Sequence, residues 1–224
     1  QALTRNNTWT LTPASTTHNI VGCKWVFRIK YNPDNSIQKY KARLVAKGFH
    51  QKAGIDYSNT YSPVVKPITI RLMLTLALTQ GWSLPQLDIN NAFLQGTLNE
   101  TVYMSQPPGF IDSKSPTSVC LLQKTIYGLK QAPRAWFTEL KTYLLTYGFI
   151  ASHADPSLFV YNKHKSSIYI LVYIDDIIIT GPSPHHLSAF INKFTVRLSL
   201  NDLGPLSSFL GSHITPTAPG PHLP

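Results

Sequence analysis

Apolar residues recur along this chain in three rhythms. Residues 24–30 (KWVFRIK) alternate apolar and basic positions, the two-residue period of a half-exposed strand. Asn32-Pro33-Asp34-Asn35 reads as a turn, and residues 40–49 (YKARLVAKGF) as the returning strand, so a hairpin carrying cations along its length is predicted. Residues 67–81 change period: Ile70, Met73, Leu74, Ala77 and Leu78 predict a helix stopped by Gly81. Residues 133–148 predict a second helix, with Pro133 in its first turn, a stripe of Trp136, Leu140, Tyr143, Leu144 and Tyr147, and Gly148 as its stop. A third starts with Ser183 as N-cap and Pro184 at its first position, and carries Leu187, Phe190, Ile191, Phe194 and Leu198 on one face. Residues 167–181 (SIYILVYIDDIIITG) keep no such rhythm: they are almost continuously apolar, broken by two adjacent aspartates. They predict a hairpin, 168–174 and 177–180, turning at Asp175-Asp176. Residues 83–90 (SLPQLDIN) read as a short strand ending near Asp88, residues 206–214 as a last strand, and the proline-rich 215–224 as a frayed tail.

From Ser83 onward the order is strand, helix, strand, strand, helix, strand. That is the split βαβ, or ferredoxin-like, order, and it predicts an α+β fold whose antiparallel sheet carries both helices on one face. In this topology the Asp175-Asp176 turn is the tip of a central hairpin, and Asp88 ends the neighbouring strand.

Charge adds a partner class. The chain has 20 Lys+Arg against 10 Asp+Glu, and ten of the basic residues lie in 5–66 beside only Asp34 and Asp56. Such an excess suits a polyanion, nucleic acid first, although a basic protein without that partner fits the charge as well. Cys23 and Cys120 sit beside apolar residues and read as packed free thiols in a reducing compartment. The polar residues 1–19 give no sign of a signal peptide, and no apolar run reaches the roughly 18 residues of a membrane span.

The aspartate pair is the candidate chemistry. Burying one carboxylate costs several kcal/mol unless it is compensated, and two side by side repel. No Lys or Arg lies between residues 167 and 181. Three carboxylates at one sheet edge make sense around cations: Mg²⁺ takes one or two carboxylates plus substrate phosphates, and a pair of ions about 3.5–4 Å apart serves phosphoryl transfer. A solvated Asp-Asp turn is the plainer alternative.

Eight segments extend this reading over nearly the whole chain. GCKWVFRIK, YKARLVAKGF, YSPVVKPITIRLML, QLDINNAFLQGTL, VYMSQPPGF, YGLKQAPRAWF, LVYIDDIIITG and LNDLGPLSSFLG resemble, in order, successive blocks of the polymerase of copia-type LTR retrotransposons. Tyr173-Ile174-Asp175-Asp176 resembles the YxDD box of reverse transcriptases. The resemblance implies a right-hand polymerase: fingers at 1–82, a first palm strand at 83–98, a return to the fingers at 99–130, palm at 131–214, and a tail truncated before the thumb.

It implies RNA-directed DNA polymerase activity by two-metal catalysis. Asp88, Asp175 and Asp176 would be catalytic and, with the carbonyl of Ile89, would hold two Mg²⁺, with Mn²⁺ as a substitute. Lys41 and Arg43 would grip the incoming triphosphate, although a solvated basic strand also accounts for them. Phe93, five residues after Asp88, would be the steric gate against a ribose 2′-OH, the alternative being an ordinary core Phe. Gln131 would contact nucleotide or template. The implied partners are an RNA or DNA template with its primer, deoxynucleoside triphosphates and the rest of a Pol polyprotein, without a membrane. The implied setting is intracellular, in a cytoplasmic virus-like particle or the nucleus. The sequence departs from the family pattern at Ser212-His213-Ile214 and at Pro219, Pro221 and Pro224. Those departures motivate an alternative function, a catalytically inactive nucleic-acid-binding remnant of a decayed element.

Overall fold

The alternating basic stretch folds as a long antiparallel hairpin of Cys23–Tyr31 and Ile37–Ala46. The computed structural model describes residues 2–213 apart from Pro33, His164, Lys165, Ser199, Ser207, Leu210 and Gly211; the expected tail at 215–224 lies outside the described residues. Directly paired residues share a face, so the register sorts the hairpin into two chemistries. Lys24, Arg28, Lys30, Lys39, Lys41 and Arg43 occupy one face, while Trp25, Phe27, Ile29, Tyr40 and Leu44 occupy the other. Toward the tip the apolar face lies open, with Phe27 74% and Tyr40 75% exposed. The base is anchored instead: Cys23, Leu44 and Ala46 join Val21, Met104 and Cys120 in a core. This core draws on a second, four-stranded sheet ordered Trp9–Thr12, Val119–Leu122, Tyr103–Met104, Ile20–Val21. Both cysteines are buried free thiols, as expected. Burial, and then Cys23, push the Cys120 thiol up to about 12.

The chain divides into two units, residues 1–62 with 93–139 and residues 63–92 with 140–224. The helix Pro67–Thr79 lies in the second unit, where its Met73 and Leu74 are buried with Leu171 and Ile178 of the aspartate hairpin. An amphipathic helix belongs wherever its stripe is covered, and chain order does not reveal that. Phe93 and the residues following it belong to the first unit. So does the helix Ala132–Tyr147 as far as residue 139.

The second unit is built on a six-stranded sheet, ordered Leu200–Pro205, Pro85–Ile89, Asp176–Thr180, Ser166–Tyr173, Leu158–Lys163, Ile150–Ala151. Every neighbouring pair is antiparallel. The first four strands reproduce the split βαβ arrangement, fourth beside first, then third, then second. The sheet is covered on both faces, which explains why 167–181 lacks alternation. Tyr169, Leu171 and Tyr173 lie with helix Pro67–Thr79. Tyr161, which points to the opposite face, meets Tyr147 at 5.8 Å. Tyr147 in turn meets Phe190 at 5.0 Å, and Tyr143 stacks on Phe194 at 5.6 Å. Helices Ala132–Tyr147 and Pro184–Leu198 therefore share one face, as predicted.

One strand falls elsewhere than expected. The sheet ends in Leu200–Pro205, whereas the stretch predicted as the last strand contributes a separate small pair, Ser208–Phe209 with Ser212–His213. LNDLGP is rich in residues that strands disfavour, so its sequence hides it. An edge position tolerates them, and pairing of Leu200 with Ile89 and of Asn201 with Asp88 fixes the strand.

Candidate active site

The aspartate hairpin turns in two residues. Tyr173 pairs with Asp176, leaving Ile174 and Asp175 as the turn. Ile174 has φ of 55°, a left-handed conformation that is a genuine outlier for a β-branched side chain. A two-residue hairpin with positive φ at this position normally has glycine there. Strain of about 1–3 kcal/mol persists only where the surroundings over-determine it, and here the flanking Leu171, Val172, Ile177 and Ile178 are all buried. The N–H of Ile89 donates to the Asp175 carbonyl at 3.0 Å and ties the turn to the end of the next strand. On that strand Asp88 lies in register with Asp176. The three aspartates thus share one sheet edge, each half-buried.

Burial first, and then the Asp175 and Asp88 carboxylates, push the acid of Asp176 above its ordinary value; a hydrogen bond from Gln86 acts against them. Among the described residues no three His, Cys, Asp or Glu side chains are gathered into a ready-made metal site.

In the first unit, the carbon of the Arg43 guanidinium lies 5.3 Å from the centroid of the Tyr127 ring. Its Nε is buried without a hydrogen-bond partner. Lys41 is on the same face of the hairpin. Phe93 packs edge-on against the same Tyr127 ring, at 4.7 Å and 71°. Gln131 is only 2% exposed. Its amide accepts from Gln51 Nε2 at 2.9 Å and donates to the Asp56 carbonyl at 2.8 Å. Both ends of that amide are hydrogen-bonded inside the protein.

A sequence profile described as reverse transcriptase (RNA-dependent DNA polymerase) matches residues 6–223. This chain belongs to the reverse transcriptase family. The Pol polyproteins of transposons RE1 and RE2 from Arabidopsis thaliana are 53% and 52% identical to it over 97% of its length. That of transposon TNT 1-94 from Nicotiana tabacum is 37% identical over 96%. The chain spans 15% of the length of each Arabidopsis polyprotein and 16% of the tobacco one. These relatives agree with the copia-type resemblance. No helix among its described residues is long and apolar enough to cross a membrane.

Sequence reasoning passed over two residues of this site. Gln86, which bonds to Asp176, stands two positions before Asp88 and so on the same face of its strand; that spacing was the available signal. Tyr127 opens the YGLKQAPRAWF block, but nothing local announces contacts with residues as remote as Arg43.

Proposed function

We propose that the chain supplies the fingers and palm of a copia-type RNA-directed DNA polymerase, which adds deoxynucleotides to a primer 3′-OH and releases pyrophosphate. The unit with the basic hairpin corresponds to the fingers and the unit with the six-stranded sheet to the palm. The observation that carries this reading is the register of Asp176 against Asp88, with Asp175 in the adjoining turn.

The donors at this edge are hard oxygens, the set that Mg²⁺ prefers. Proton binding by Asp176 is favoured by burial and then by its carboxylate neighbours, and a cation would relieve that repulsion. Asp88, Asp175 and Asp176, with the carbonyl of Ile89, would hold two Mg²⁺, or Mn²⁺ in their place. Bound there, the ions supply activation of the primer hydroxyl and charge neutralisation at the phosphates. Lys41 and Arg43 neutralise the triphosphate, and the Arg43 Nε offers a donor that is already desolvated and unspent. Phe93 presents a flat ring against the sugar and excludes the 2′-OH, the group that separates ribo- from deoxynucleotides. Gln131 braces the start of its helix rather than touching nucleotide. Primer–template duplex binds through phosphates to the cationic face of the hairpin, and the rest of a Pol polyprotein, in a cytoplasmic virus-like particle, is the covalent context.

Primer extension tests this. The chain is given an RNA template, an annealed primer, deoxynucleotides and Mg²⁺, beside Asp176→Asn. Extension by the parent and not by the variant is expected. A parent that binds duplex but extends no primer would overturn the catalytic reading in favour of a nucleic-acid-binding remnant.

A further inference from the structure

We propose that Tyr127 is a positioning residue that couples the triphosphate grip of Arg43 to the sugar exclusion of Phe93. The inference rests on the polymerase reading above. One ring touches both side chains, with the Arg43 guanidinium 5.3 Å from its centroid and the Phe93 ring edge-on at 4.7 Å. Arg43 has a long flexible stem and a buried Nε with no hydrogen bond. Phe93 is only half-buried at the margin of its core.

Tyr127, in contrast, is held through its backbone. Its carbonyl accepts from the Ala46 N–H at 2.7 Å, and it bridges to Val45 in parallel. The next residue, Gly128, has φ of +90°, and a Cβ there would run into the Ala46 carbonyl oxygen. That close approach seats the 126–131 segment against the base of the basic hairpin. Three residues on, the Lys130 N–H donates to Gln51 Oε1 at 2.8 Å, and Gln51 also holds Gln131. A ring fixed in this way limits both the sweep of the guanidinium and the tilt of Phe93. A residue that fixes two groups at once must affect two measurable quantities together.

The test measures Kd for a deoxy- and a ribonucleoside triphosphate on the 224-residue chain, with Mg²⁺ and a chain-terminated primer–template, by calorimetry. The parent is expected to favour the deoxynucleotide. In Tyr127→Leu the deoxynucleotide Kd is expected to rise about tenfold and the ribo/deoxy ratio to fall toward one, since Arg43 and Phe93 would each be without the ring that holds them. Tyr127→Phe keeps the ring and is expected to recover most of both. Tyr127→Met keeps a long apolar side chain without the ring and takes the place of the Leu variant where that one does not fold. Arg43→Gln leaves the ring against Phe93 and is expected to weaken both nucleotides equally. A parent that binds neither nucleotide, or shows no sugar preference, overturns the polymerase reading and this inference with it. A discriminating parent whose ratio is unchanged in Tyr127→Leu, or in Tyr127→Met where the Leu variant is unfolded, overturns the inference alone.

Discussion

Two hairpins in this chain solve opposite problems. In the basic hairpin the turn is chemically comfortable. Asn35 takes φ of 64°, which Asn tolerates, and Asp34 Oδ1 accepts from the N–H and hydroxyl of Ser36 at 2.9 and 2.6 Å. The strands behind it are open to solvent at the tip. In the aspartate hairpin the turn is uncomfortable, with an isoleucine at φ 55° and adjacent carboxylates, while the strands behind it are among the most buried in the protein. The first is held by its turn. The second holds its turn in place, and that is the arrangement expected where a strained, charged tip serves chemistry rather than folding.

The comparison breaks most sharply if the charge is removed from the second tip. Asp175→Asn with Asp176→Asn keeps turn-compatible side chains and abolishes the repulsion. Mg²⁺-dependent nucleotide incorporation is expected to fall by about 10³-fold or more, since the developing charge loses its metal-holding oxygens. Metal-free stability should be unharmed, or higher by a fraction of a kcal/mol to a few. Both are read on one preparation, by primer extension and urea denaturation. An unfolded double variant would make the pair structural, and a parental rate would remove the two-metal reading.

The first hairpin is tested through its cations. Changing Lys24, Arg28, Lys30 and Lys39 to Gln leaves the open apolar face and the turn untouched. Affinity for primer–template duplex at low salt should drop, and the log–log salt slope should become shallower by about 0.9 for each phosphate that is no longer neutralised. A fluorescence anisotropy titration gives both. An unchanged slope would mean that this face does not touch the duplex.

Both hairpins were legible in the sequence because period and composition change where they begin. The three long helices were legible for the same reason, their stripes ending at Gly81, at Gly148 and near Leu198. The meeting of Asp88 with Asp176 followed from strand order alone. What escaped has physical causes. Strands of two residues, such as Ile20–Val21 and Tyr103–Met104, contain no period to read. Leu200–Pro205 is specified by its partner strand rather than by its own residues. The Gln51–Gln131 bond joins side chains 80 positions apart, so no local pattern announces it.

Two buried or half-buried aspartates of the second unit give a pH test. Asp155 is buried, and that burial by itself would raise its pKa. Hydrogen bonds from the Thr69 side chain and from the N–H groups of Lys66 and Ser157, with the charge of Lys66, outweigh it and hold the carboxyl below its ordinary value. Asp176 is shifted upward. For Asp155, lowered in the fold, the stabilisation is present above the unfolded value near 3.9 and is lost as pH falls through the folded one. For Asp176, raised in the fold, the stabilisation is present below about 3.9 and is lost as pH rises through the folded value. Asp155→Asn should therefore flatten the acid limb of the stability profile and cost about 1–3 kcal/mol at neutral pH. Asp176→Asn should flatten the decline above pH about 4. Denaturation midpoints from about pH 3 to 8 resolve the two. The same limb flattened by both variants would contradict the opposite signs.

The smallest expected effect concerns the turns themselves. A left-handed L-residue costs roughly 1–2 kcal/mol, and glycine removes that cost at Ile174. Glycine also adds backbone freedom to the unfolded chain, worth about 0.5–1 kcal/mol against folding. Ile174 is 44% exposed, so little apolar burial is lost with its side chain. Ile174→Gly is then expected to stabilise the metal-free chain by about 0.5–1 kcal/mol. Asn35→Gly relieves almost nothing, because Asn already tolerates this region, and the entropy term leaves it neutral or slightly destabilising. The contrast is one of sign and needs no absolute calibration: thermal melts of the two variants beside the parent suffice. Ile174→Asn separates the causes, since it eases the backbone without freeing the unfolded chain as glycine does. If Ile174→Gly and Asn35→Gly shift the midpoint equally, the strain at the aspartate turn carries no energy and the contrast between the hairpins reduces to burial.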